Sequence, residues 1–148
     1  MAVATGTKVI PIISSGTAGP LGATHLPRLW AKLTLGNHTA LPEGHDYCGK
    51  GFDQLTISDL GLERDKVIAY VKTSKPTYIE FEAWVRTNGK TDKETIRKHN
   101  EAVLGYKHGD ETVKEIQKEI GLNDPGVRDA VTLNILEDLN DLHALVTR

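Results

Sequence analysis

The chain has 148 residues, long enough for one core to bury roughly 68% of its unfolded surface without metals or disulfides. Its 18 Lys and Arg stand against 20 Asp and Glu, a net charge of -2, so no global field draws in nucleic acid or an anionic membrane. The single cysteine, Cys48, excludes an internal disulfide and fits a reducing compartment.

Residues 1–23 are rich in Gly, Ser, Thr and Ala, and Pro11 and Pro20 interrupt any helix. They read as an extended N-terminal arm, with Val9 to Ile13 packed on the body. That short run, with Lys8 as its one base, matches neither a signal peptide nor a spanning helix, so a cytoplasmic protein is expected.

Residues 24–148 read as a single helical domain. Pro27 suits a first helical position, Leu29, Trp30 and Leu33 share a face, and Gly36 offers a left-handed cap. From Gly36 to Gly51 neither helical nor strand periodicity is present, and glycines, Pro42, His38, His45 and Cys48 mark a long loop. Phe52, Leu55 and Leu60 suggest a short helix ending at Gly61, and Val67, Ile68 and Val71 a further one before Pro76.

Thr77 with Glu80 forms a capping box, and Thr91 with Glu94 repeats the pattern. The helices that follow present Tyr78, Phe81 and Val85, then Ile96, Val103 and Leu104. Asp110 is expected to cap a helix bearing Val113, Ile116 and Ile120 and ending at Gly121. After the turn at Asn123 to Gly126, Val131, Ile135, Leu139, Leu142 and Val146 recur at helical spacing and are expected to face the core. With no strict alternation, the fold class is all-α: a compact bundle of six or seven helices with the arm and the Gly-rich loop wrapped over it.

The segments GPLGATHLPRLW (19–30), KGFDQL (50–55), KPTYIEFEAWV (75–85), LGYKH (104–108) and DAVTLNILED (129–138) together resemble a bacterial family catalogued as domain of unknown function 5069. The resemblance runs from about Gly19 to Asp141. It implies a small, stand-alone, helical bacterial protein, and brings no cofactor or catalytic residue with it.

Two constellations carry candidate chemistry. His25, Arg28, Asp53, Tyr78, Glu82, Trp84, Tyr106 and His108 combine a planar cation, aromatic walls and proton-exchanging groups. They suit a small anionic metabolite, although Arg28 with Glu82 reads equally as a structural ion pair. In the loop, a cation or a helix N-terminus near Cys48 would activate its thiol, which makes a thiol- or metal-dependent enzyme using Cys48 with His45 and Asp53 the alternative. The bland reading of Cys48 is a small apolar filler. Spacing among His38, His45, Cys48 and Asp53 fits no standard zinc pattern, so no metal is assigned.

Lys90, Lys93, Arg97 and Lys98 read as a wet helix face without nucleic-acid function. The expected function is therefore a small-molecule or partner-binding module. Self-association would run through the last helix.

Overall fold

The computed structural model describes residues 6–148, so residues 1–5 of the expected arm lie outside the described residues. Seven helices follow in order: α1 (Leu26–Asn37), α2 (Phe52–Asp59), α3 (Arg64–Ser74), α4 (Tyr78–Asn88), α5 (Lys93–Gly105), α6 (Asp110–Ile120) and α7 (Ala130–Thr147). Among the described residues no strand forms. One isolated bridge pairs Lys107 with Asp129 and aligns the start of α7 beside the end of α5.

The core gathers where α1 lies against α3 and α4. Leu26, Leu29 and Leu33 of α1 meet Val67 and Val71 of α3 and Phe81 and Val85 of α4, with Ile57 and Leu60 closing one side. Full burial of each Leu or Phe contributes about 1.5–3 kcal/mol, so this cluster supplies the main driving force. Trp30, expected on the inward face of α1, and Trp84 pack at its margin. Trp84 stacks on Tyr70 with centroids 4.6 Å apart.

Local chemistry sets most helix ends. The capping box at Thr77 and Glu80 forms as expected, each side chain meeting the other residue's backbone N–H. The second box does not form. Asp92, one residue beyond Thr91, caps α5 by accepting from Thr95 N, because a carboxylate there reaches both the backbone and the hydroxyl of Thr95. Asp110 is also displaced: Gly109 is the cap of α6, and Asp110 sits in its first turn beside Arg128.

Gly36 ends no helix, since α1 runs on to Asn37. Its value is space: a Cβ at Gly36 would stand 2.2 Å from Tyr47 Cδ1. The bare backbone lets the Tyr47 ring lie flat on α1, and the Tyr47 hydroxyl donates to Asn37. Loop 38–51 is thereby anchored along α1.

The apolar stripe of α7 takes its expected inward placement only in part, with Val131, Ile135 and Leu142 half-buried. Leu139 is 47% exposed and Val146 is 68% exposed, whereas Ala130, Leu133 and Asp138 are buried. The reason is polar: α7 is rotated to bring Asp138 onto Arg28 of α1 in a two-pronged pair of 2.6 and 3.1 Å. Among the described residues no helix is long and apolar enough to cross a membrane.

Candidate functional site

The N-terminus of α1 starts from an unusual backbone. His25 precedes it at φ 68° without side-chain capping, a left-handed conformation that costs a non-glycine residue about 1–2 kcal/mol. The imidazole holds the residue there. Its two nitrogens lie 3.0 Å from Ser15 Oγ and 2.6 Å from Asp53 Oδ1.

His25, Arg28 and Lys32 follow one face of α1, and all three are buried. Lys32 Nζ donates to Asp53 Oδ2 at 2.5 Å, and the Gly49 amide donates to the same oxygen at 2.7 Å. Arg28 donates to Asp138 and also to the carbonyls of Pro11 and Ile13, at 2.7 and 2.9 Å, tying the arm to α1 and α7.

Burial would raise the Asp53 pKa, but the His25 hydrogen bond and the Lys32 charge outweigh it and hold the carboxyl at about 2. Burial lowers the His25 pKa despite Asp53, with Lys32 and Arg28 opposing a further positive charge. Lys32 is therefore the counter-ion of Asp53, and His25 is neutral. Its Nε2–H donates to Asp53, while Nδ1 accepts from the Ser15 hydroxyl. The Ser15, His25 and Asp53 series has the residue types of a hydrolytic triad. Ser15 is 1% exposed and does not line the adjoining cleft, so it acts as an orienting group.

Above this network lies a polar cleft of about 260 Å³ between α1, loop 38–51, the start of α2 and α7. Glu137, Asp138 and Asp141 line it from α7, and His45 and Asp46 from the loop. The His45 imidazole is only 6% exposed. Its Nε2 is 3.2 Å from Asp141 Oδ2, yet the geometry makes no hydrogen bond, and among the described residues that nitrogen has no partner. Burial raises the Glu137 pKa, and the negative charges of Glu119, Asp141 and Asp138 add to the effect.

A second cleft of about 450 Å³ adjoins the first, sharing Gly51, Phe52 and Asn134. Its walls are mainly apolar, from Phe52, Leu55, Ala102, Tyr106 and Ala130. Phe52 and Tyr106 meet edge to face at 5.8 Å. His108 Nε2, also on this cleft, is buried and has no partner among the described residues.

The eight expected site residues thus separate. His25, Arg28 and Asp53 line the polar cleft; Tyr106 and His108 line the apolar one. Tyr78, Glu82 and Trp84 of α4 line neither. Glu82 does not meet Arg28; it accepts from the Tyr78 hydroxyl at 2.8 Å and the Leu21 amide at 2.7 Å, with Arg86 at 3.5 Å. Gly19 crosses directly over this pair, where a Cβ would come within 2.6 Å of both side chains. Those α4 residues fasten the turn before α1.

Cys48 packs into the core cluster. Burial pushes its pKa up, Asp53 adds to that, and the opposing charges of Arg64 and Lys32 do not reverse it. A nucleophilic thiol needs the opposite shift. Its backbone carbonyl, by contrast, accepts from Arg64 and braces the loop. Among the described residues, no group of three or more His, Cys, Asp or Glu side chains is arranged to hold a metal ion.

Lys32, Asn134, Glu137, Asp138 and Asp141 escaped sequence reasoning. A signal was present: His25, Arg28 and Lys32 repeat at helical spacing, as do Asn134, Asp138 and Asp141. Polar stripes of that kind resemble ordinary solvated faces until their burial is known. No family model matches the chain, and no curated protein matches it.

Proposed function

We propose that the protein is a binding module for a small molecule, held in the polar cleft between α1, loop 38–51 and α7. One observation carries the reading. His25, Arg28, Lys32, Asp53 and Asp138 are all buried around that one cavity. Buried ion pairs are often no more stabilising than apolar residues of the same size. Their concentration beside a cleft is the pattern by which functional sites fix the position and protonation of their groups.

The proposal keeps the chain with the bacterial family it resembles and places it in the cytoplasm, which its lone cysteine supports. Thiol catalysis has less support, because Cys48 faces the core.

A thermal-shift screen of metabolites of either charge tests the binding reading. A ligand of the native state at about a hundred times its Kd adds about 2.7 kcal/mol, which raises Tm by several degrees. A shift abolished by Asn134→Ala or Asp141→Asn, both on the cleft wall, supports the reading. A flat panel, or shifts insensitive to these variants, counts against it.

A further inference from the structure

We infer that the ligand is an organic cation with an apolar body: an ammonium group in the polar cleft between His45 and Asp141, and an aromatic or aliphatic body against Phe52 in the second cleft. This rests on the binding reading above and specifies its chemistry.

Charge comes first. Five carboxylates line the polar cleft against two bases, and both bases are already bonded, Arg28 to Asp138 and Lys32 to Asp53. Among the described residues an anion would meet no uncommitted Lys or Arg there. Asp46, Glu137 and Asp141 remain without a base of their own on the cleft wall, and the repulsion between Glu137 and Asp141, with the burial of Glu137, destabilises their charged forms unless a cation joins them.

His45 supplies an independent indication. Its Nδ1 is 3.9 Å from Asp138 Oδ1, beyond hydrogen-bond reach, and the neutral tautomer with its proton on Nδ1 turns that proton toward the carboxylate. In that tautomer Nε2 presents a lone pair 3.2 Å from Asp141 Oδ2, and among the described residues it has no hydrogen-bond partner. Two acceptors side by side, one on an imidazole more than nine-tenths buried, are satisfied together by a donor. An ammonium group donates to both.

The body follows from continuity. Phe52 and Asn134 belong to both clefts, so a ligand seated at Asp141 extends past the Phe52 ring without crossing the core. Beyond it lie Leu55, Tyr106 and Ala102. Ligand sites of about 300–1,000 Å³ bury most of a small molecule against apolar walls with a few polar anchors. The paired clefts have that composition, and the ring faces also favour a nearby cation.

Three matched probes test this by calorimetric titration of the full chain: phenethylamine, 2-phenylethanol and 3-phenylpropionate. Phenethylamine is expected to bind at least about tenfold more tightly than 3-phenylpropionate, and Asp141→Asn to remove most of that preference. Ala102→Trp, at an exposed position on α5 facing the apolar cleft, is expected to weaken the amine and the alcohol alike. Circular dichroism confirms that each variant folds. Equal or tighter binding of 3-phenylpropionate overturns the cationic assignment while leaving a small-molecule site intact. So does an amine preference unchanged in Asp141→Asn. Failure of all three probes also overturns the assignment, and the wider metabolite screen then decides the binding reading separately.

Discussion

Helix α1 carries two stripes one residue apart. Leu26, Leu29 and Leu33 pack into α3 and α4, whereas His25, Arg28 and Lys32 turn toward loop 38–51 and α7 and bury their charges. Both stripes exclude water, yet they do so by different physics. The apolar stripe gains from every area it removes from solvent, without demands on direction. The polar stripe gains only if each donor meets its acceptor, and it forfeits several kcal/mol when one partner is missing. The first stripe makes the fold stable, and the second fixes a geometry.

Removing one side of the ion pair should separate the two most strongly. Asp138→Ala strands Arg28 and is expected to cost about 3–5 kcal/mol in urea unfolding. Replacing both partners, Arg28→Met with Asp138→Leu, should recover most of that cost, the remainder being the lost bonds to the Pro11 and Ile13 carbonyls at about 1–3 kcal/mol. A double variant as unstable as the single one would make the polar stripe as necessary to folding as the apolar one, and the contrast would collapse. Leu29→Ala in the apolar stripe is expected to cost about 2–5 kcal/mol. No second substitution at an ionisable residue should rescue it, and the same unfolding series reads this directly.

The smallest effect is in the pH dependence. Burial lowers the His25 pKa from 6.5, so below that value the unfolded chain binds a proton that the folded chain refuses. Stability is therefore complete above about pH 6.5 and declines on acidification, as linkage requires for a depressed histidine. Asp53, held at about 2, adds its own loss only as pH falls from about 4 toward 2. Denaturant midpoints measured from pH 7.5 to 5.5 should fall in the parent and in Leu29→Ala with the same slope. A steeper or absent slope in Leu29→Ala would mean that the stripes are not independent.

The sequence discloses these stripes unequally. Helix positions and the apolar core were legible because Leu, Val and Phe at helical spacing have few alternatives to burial. The capping box at Thr77 was legible because both of its bonds are local. Asp92 was missed in favour of Thr91 because both offer capping oxygens one residue apart, and only the backbone geometry selects between them. The rotation of α7 was hidden for a different reason. Its apolar residues favour one orientation, and the bond from Asp138 to a guanidinium 110 residues away favours another. Local periodicity contains nothing of so distant a partner. His25, Arg28 and Asp53 were found by their chemistry, but their association with Tyr78 and Glu82 assumed a single convergence where the fold makes separate ones.

Arg28 has one further consequence. The same guanidinium holds two carbonyls of the arm and the carboxylate of α7, so arm docking and the state of the cleft share a common term. Any ligand whose affinity depends on that arrangement must tighten the arm by the same factor by which the docked arm tightens the ligand. Slowed amide exchange near Ile10 to Ser15 would then report occupancy of a site that those residues do not line.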